Sequence, residues 1–211
     1  MEDSKIQFDY TTLLALIILS TFFVVIILIK VIYRHNPHEH EQYGDEIVLF
    51  HSIDRYKKRV FRFHLIEDLK DQKNRRVNEE LELKVVVGEF SEDTLEIIKH
   101  AANHKFEHIT IITGPKVFCE DRTEIYTLLD KYENVEYFIL PERPNKHFVI
   151  FHRNHLYIEK PHRHNENRGS VGIKKSNPQL IEIYDQAYNK LLKYTKPLNK
   201  EEVLTQKCYT D

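Results

Sequence analysis

Between residues 83 and 140 the chain alternates short β-branched runs with amphipathic stretches. This alternation restricts the possible fold more than any other feature. Residues 83–87 (LKVVV) end at Gly88. Ser91 stands where an N-cap belongs, and Leu95, Ile98 and Ala102 recur on one face of a helix running through Lys105. Residues 108–113 (HITIIT) form a second strand of the buried type, closed by Gly114-Pro115. A helix over 121–132 turns Ile125, Leu128 and Leu129 inward, and a third strand over 135–140 (VEYFIL) stops at Pro141. Strand–helix–strand–helix–strand with short connections is a βαβ series, which calls for parallel strands and right-handed crossovers. The expected fold is therefore α/β, a Rossmann-like three-layer domain with a parallel sheet.

Around that series the pattern is looser. Residues 146–162 (KHFVIFHRNHLYIEKPH) read as a β-hairpin turning at Arg153-Asn154 and appended to the sheet, and 178–194 read as a helix. Phe50, Ile53, Tyr56, Val60, Phe63 and Leu69 recur at helical spacing, although 60–66 also alternate like a strand. The charged stretch 71–82 reads as a solvated turn. The resulting division is a tail (1–11), a membrane span (12–33), a polar linker (34–46), a connecting segment (47–82), the Rossmann-like domain (83–197) and a C-terminal tail (198–211).

The span rests on residues 13–29 (LLALIILSTFFVVIILI), in which Ser20 and Thr21 are the only polar residues. A helix from Tyr10 to Tyr33 covers a hydrocarbon core of ~30 Å, with both tyrosines at interfaces. The preceding segment is acidic, whereas Lys30 and Arg34 follow the span. The positive-inside rule then puts the N-terminus outside and the remainder in the cytoplasm, as a single-pass inner-membrane protein. Cys119 and Cys208, the only two cysteines, stand far apart, which is no disulfide framework and fits a reducing compartment. A net charge of −2 gives no overall nucleic-acid signature, and no direct DNA binding is expected.

Ligands of open α/β sheets bind beyond the carboxyl ends of the strands. That rule selects the loop Gly88-Glu89-Phe90-Ser91, the loop Thr113-Gly114-Pro115-Lys116, and Arg143 and Lys146. The first loop has a single glycine, so neither a dinucleotide fingerprint nor a Walker A motif is present. It reads either as a phosphate-holding turn or as a plain turn capped by Ser91, and the second loop is open in the same way. Residues 160–175 (KPHRHNENRGSVGIKK) carry Lys160, Arg163, Arg168, Lys174 and Lys175 against one acid, Glu166, with His162 and His164 among them. This is a local anion-attracting patch or a solvated loop. His35, His38 and His40 lie in the linker without a cysteine, so no metal is assigned and no cofactor is expected.

The hairpin begins on His147. A histidine opening a strand resembles the way the phospholipase-D superfamily carries its nucleophile, in the pattern H-x-K-x4-D. Here Val149 replaces the lysine and Asn154 the aspartate. A phosphodiesterase of that type needs a nucleophilic histidine, a second histidine as acid, and cations for the phosphate. His147 and His162 supply the alternative reading, a phospholipase-D-like phosphodiesterase or ring nuclease. The main reading leaves them as polar contacts that shape a pocket or a dimer face, with no catalytic residue.

One anchor followed by a Rossmann-like domain resembles the CRISPR-associated membrane effectors whose soluble part is a CARF sensor. The residues carrying the likeness are 13–29, strand 83–88 with Ser91, strand 108–113 with Gly114-Pro115-Lys116, and the hairpin 146–162. The resemblance implies a sensor of type III CRISPR defence that binds cyclic oligoadenylate, typically cyclic tetra-adenylate, and is not an enzyme. It implies a homo-oligomer, with sensor dimers assembling into a tetramer or larger. It also implies membrane helices that act as an ion channel or disrupt the lipid, lined by Ser20 and Thr21. Gly88, Ser91, Thr113, Gly114 and Lys116 then become ligand-loop residues.

Overall fold

The computed structural model describes residues 46–51, 53–75, 80–104, 106–159 and 169–208, which lie in one compact unit. In chain order the elements are β1 (Glu46–Phe50), α1 (Arg55–Arg75), β2 (Glu82–Val86), α2 (Glu92–Asn103), β3 (His108–Thr113), α3 (Pro115–Glu120), α4 (Arg122–Lys131), β4 (Val135–Ile139), β5 (His147–Phe151), β6 (His155–Glu159), β7 (Ser170–Lys174), α5 (Pro178–Leu192), β8 (Lys196–Leu198) and α6 (Lys200–Thr205).

Local chemistry accounts for most of these elements. Ser91 caps α2 by accepting from the Thr94 amide. Asn177 caps α5 with Pro178 in its first turn, and Asn199 and Glu202 form a reciprocal capping box on α6. The β-branched runs of β2 and β3 are buried because helices cover both sides of the sheet.

All eight strands form one sheet in the order β1-β7-β6-β5-β2-β3-β4-β8. Only β2–β3 and β3–β4 are parallel; every other neighbouring pair is antiparallel. The expectation of a Rossmann-like parallel sheet is therefore corrected to a mixed, mostly antiparallel one. The βαβ series forms locally, but the free edge of β2 is taken by β5 running the other way. The hairpin is consequently not an appendage. As β5 and β6 it joins the parallel strands to β7 and β1.

The sheet separates two apolar clusters. Leu83, Val85, Ile109, Ile111, Val149, Phe151 and Tyr157 face one side, with Leu65, Ile66 and Leu69 of α1 and Ile97, Ile98 and Ala101 of α2. Val86, Ile112, Phe148, Ile150, Leu156 and Ile173 face the other, under Ile181 and Tyr188 of α5. Helix α1 crosses β7 closely enough that a Cβ at Gly172 would stand 2.7 Å from Phe61 Cζ. Phe61 in turn meets the Phe50 ring edge-on at 5.2 Å. These contacts bring β1 and α1, read from the sequence as a connecting segment with helical spacing, into the sheet and its covering layer.

Two further expectations change. The membrane placement is withdrawn: among the described residues no helix is long and apolar enough to cross a membrane. The expected span 12–33, with Ser20 and Thr21, lies outside the described residues. Cys119 on α3 and Cys208 beyond α6 are disulfide-bonded, with Cα atoms 5.6 Å apart at a sequence separation of 89. The cysteine argument for a reducing compartment therefore fails. Closing so long a loop restricts the unfolded chain. Cys208→Ser, or reduction, is expected to cost about 2–4 kcal/mol, read as a lower denaturant midpoint. An unchanged midpoint would show that the bond constrains nothing.

Candidate active site

His147 is the first residue of β5, and β5 runs antiparallel to β2, so His147 sits at the carboxyl end of the parallel strands. Cross-strand partners share a sheet face. His147 pairs with Glu159, Glu159 with Ser170, and Ser170 with Phe50, which places a polar row along the rim on the face that α1 covers. One step below lie Val149, Tyr157 and Gly172.

The rim is built around a missing side chain. A Cβ on Gly88 would stand inside van der Waals contact of His147 Nε2 and 2.9 Å from Arg143 Nε. Glycine at 88 is what lets both nitrogens approach the turn after β2. A Cβ on Gly114 would lie 2.8 Å from Arg143 Cα, so the segment following β4 packs against the turn after β3 in the same way. Arg143 is held to Glu89 at 3.1 Å. His147 is only 2 % exposed.

Cations come from α1. Lys58 and Arg62 are buried although charged. Arg62 lies 4.9 Å over the Tyr157 ring, and its Nε donates to Lys58 O. The single proton of the Tyr157 hydroxyl has two acceptors in reach, Ser170 Oγ at 2.8 Å and Glu159 Oε1 at 3.3 Å. Burial, and then the Glu159 carboxylate, hold that hydroxyl well above its usual range, so it stays a donor. Helix α1 thus brings the Arg62 guanidinium over the face that carries Val149 and Tyr157.

The other expected site residues divide clearly. Gly88, Glu89, Gly114, Arg143 and His147 meet at the rim. Phe90 is in the core. Ser91 is committed to Thr94 as a cap. Thr113 is buried and bonded to the Tyr137 hydroxyl. Pro115 begins α3 with Gly114 as its N-cap, so this stretch is a helix start and not an open loop. Lys116 pairs with Glu120 at 3.7 Å on the same helix, and Lys146 is exposed before β5. His162 and Arg168 lie outside the described residues. The strands on either side of that segment end at Glu159 and begin at Ser170, both in the polar row.

Sequence reasoning missed Lys58, Arg62, Tyr157, Glu159 and Ser170. The alternation of β6 already puts Tyr157 and Glu159 on one face, but only the antiparallel register shows that His147 shares it. The remaining hairpin histidines belong to the opposite end. His152 sits at the turn with φ 52°, and His155 accepts from the Lys175 amide at 2.9 Å. Burial pushes the His155 imidazole down to about 4, leaving it neutral at pH 7.

No protein-family model matches the chain, and no curated protein matches it in sequence. Solved structures do match in fold. NucT from Helicobacter pylori is 16 % identical over 74 % of this chain and 100 % of its own, with a TM-score of 0.52. Nuc from Salmonella typhimurium, a phospholipase D family member, is 9 % identical over 74 % and 99 %, with a TM-score of 0.53. TrmBL2, an archaeal chromatin protein, is 10 % identical over 90 % and 68 %, with a TM-score of 0.51.

The likeness to CARF effectors is overturned by these matches and by the antiparallel half of the sheet. The readings as a type III CRISPR sensor, an ion channel and a non-enzymatic membrane effector go with it. Nothing in the matches supports cyclic oligoadenylate or an assembled oligomer as partner. The seating of His147 carries its own test. Gly88→Ala is expected to displace the imidazole and destabilise the protein by about 1–3 kcal/mol. Gly169→Ala, whose Cβ would meet nothing nearer than 3.4 Å, is expected to cost much less in the same denaturant titration. Equal effects would mean that the rim has room to spare. At these identities the matches fix the architecture alone: the described part of the chain has the fold of a phospholipase D family member.

Proposed function

We propose that the chain is a phosphodiester-cleaving enzyme with His147 as its nucleophile. The observation that carries this reading is the placement of His147 at the carboxyl rim. There it is seated against Gly88 beside Arg143, in register with Glu159 and Ser170. The fold shared with a phospholipase D family member supports it.

In this reading the neutral imidazole of His147 attacks phosphorus, an N–P bond forms, and the P–O bond to the first product breaks. A second histidine gives the leaving oxygen its proton, and His162, three residues beyond Glu159, is our choice for that role. Water then attacks the phosphohistidine and the same acid takes back a proton, releasing the second product and restoring His147. Arg143, Arg62 and Lys58 offset the charge on the non-bridging oxygens in place of the lysine missing at Val149. Ser170 is a hydroxyl donor in the same row, oriented by the Tyr157 hydroxyl one step below.

The test is hydrolysis of a chromogenic aryl phosphodiester and of a labelled DNA strand by the full chain. His147→Ala is expected to abolish turnover of both. Arg62→Ala is expected to lower kcat by about tenfold to a hundredfold through lost charge stabilisation. Unchanged rates in His147→Ala would overturn the assignment. Binding of DNA without turnover would favour instead a phosphodiester-holding role. Val149 and the Phe61 side chain filling the space over Gly172 are the features that would explain such a result.

A further inference from the structure

Where α1 packs on α2, three side chains converge that the rim does not use. His100 and His104 stand four residues apart at the end of α2, which puts them on one helical face. Glu67 comes from α1. Its Oε1 lies 2.9 Å from His100 Nε2 and 3.3 Å from His104 Nε2, and the three donor atoms all fall within 4.8 Å of one another. We propose that Glu67, His100 and His104 bind a divalent transition-metal ion of the zinc type, which clips α1 to α2.

The donor set suits that ion. Two imidazoles and one carboxylate are borderline ligands of the kind zinc takes, and hard cations such as magnesium and calcium prefer all-oxygen cages. Tetrahedral zinc with bonds of about 2.0–2.1 Å separates its donors by about 3.3 Å. One separation from Glu67 matches that edge and the other falls a few tenths of an ångström short, so on the Glu67 side binding asks only for a small spreading. The second carboxylate oxygen is already taken by Lys70 at 3.3 Å, which leaves Oε1 as a monodentate ligand.

The rings are also held in place. His100 and His104 meet edge-to-face at 4.1 Å between centroids, and Phe63 braces His100 at 4.5 Å. Without a metal, both imidazoles converge on a single carboxylate oxygen, an arrangement that a divalent ion between them would complete. The side chains keep 42 %, 23 % and 26 % exposure for Glu67, His100 and His104, so an ion can enter and water can take the fourth position.

The site stands apart from the rim. Helix α2 starts beside the Gly88 turn, and His100 lies eight residues further on, about 12 Å along the helix. The ion is therefore not a cofactor of His147. Its effect is to fix α1, the helix that carries Lys58 and Arg62, and this inference does not depend on the phosphodiester reading.

The experiment is titration of the chelator-treated full chain with Co2+, followed by its visible absorption, and with Zn2+, followed by thermal unfolding. One Co2+ per chain with the intense bands of tetrahedral coordination is expected. Zn2+ is expected to raise the unfolding midpoint, because it binds the folded chain through residues from two helices. Glu67→Gln and His104→Gln are each expected to weaken Co2+ binding by about tenfold or more and to remove the zinc-dependent rise. Replacing His35, His38 and His40 together is expected to leave both signals in place. Absence of tetrahedral bands would overturn the proposal. So would bands that survive both glutamine variants while circular dichroism shows the variants folded.

Discussion

Because β5 runs antiparallel beside β2, its first residue reaches the same end of the sheet as the last residues of the parallel strands. That one pairing brings His147 to the turn after β2, where the absent side chain of Gly88 admits its ring. It also carries β6 and β7 in register behind it, so Glu159 and Ser170 fall in the same row. A one-residue slip would send every one of these side chains to the α5 face and bring Phe148 and Ile150 out of their cluster. The register of the apolar core and the geometry of the polar rim are thus the same constraint.

The cations at the rim follow from a second consequence of this sheet. With β6, β7 and β1 extending it beyond β5, the α2 side of the sheet needs another cover, and α1 supplies it. Its apolar residues Leu65, Ile66 and Leu69 secure the helix on that face. Lys58 and Arg62, one to three turns earlier, are then buried, with Arg62 over the Tyr157 ring. Burying a guanidinium is costly without partners, and here a carbonyl and an aromatic face provide them.

Local structure was legible in the sequence and long-range pairing was not. Residues 83–140 display their strands and helices because each carries its own period and its own caps, such as Ser91. The hairpin was equally legible, but nothing in its period tells whether it lies at the margin of a sheet or inside it. Strand β1 was lost to a false helical period: Ile47 and Leu49 are exposed, so its apolar residues do not alternate with polar ones. Helix α1 shows its period at Tyr56, Val60, Phe63 and Leu69, but Arg62 and Lys58 look like surface residues. Glu67 lies more than thirty residues before the His100–His104 pair and on another helix, so no motif joins the three. Cys119 and Cys208 meet only because α6 folds back on α4 after a long excursion.

In the proposed reaction His147 forms a covalent bond to phosphorus. Mass spectrometry of peptides from enzyme quenched during turnover of an aryl phosphodiester tests it directly. A phosphoryl adduct is expected on the peptide containing His147 and is absent when alanine replaces it. Turnover with no adduct at His147, or with an adduct on another residue, would rule His147 out as the nucleophile.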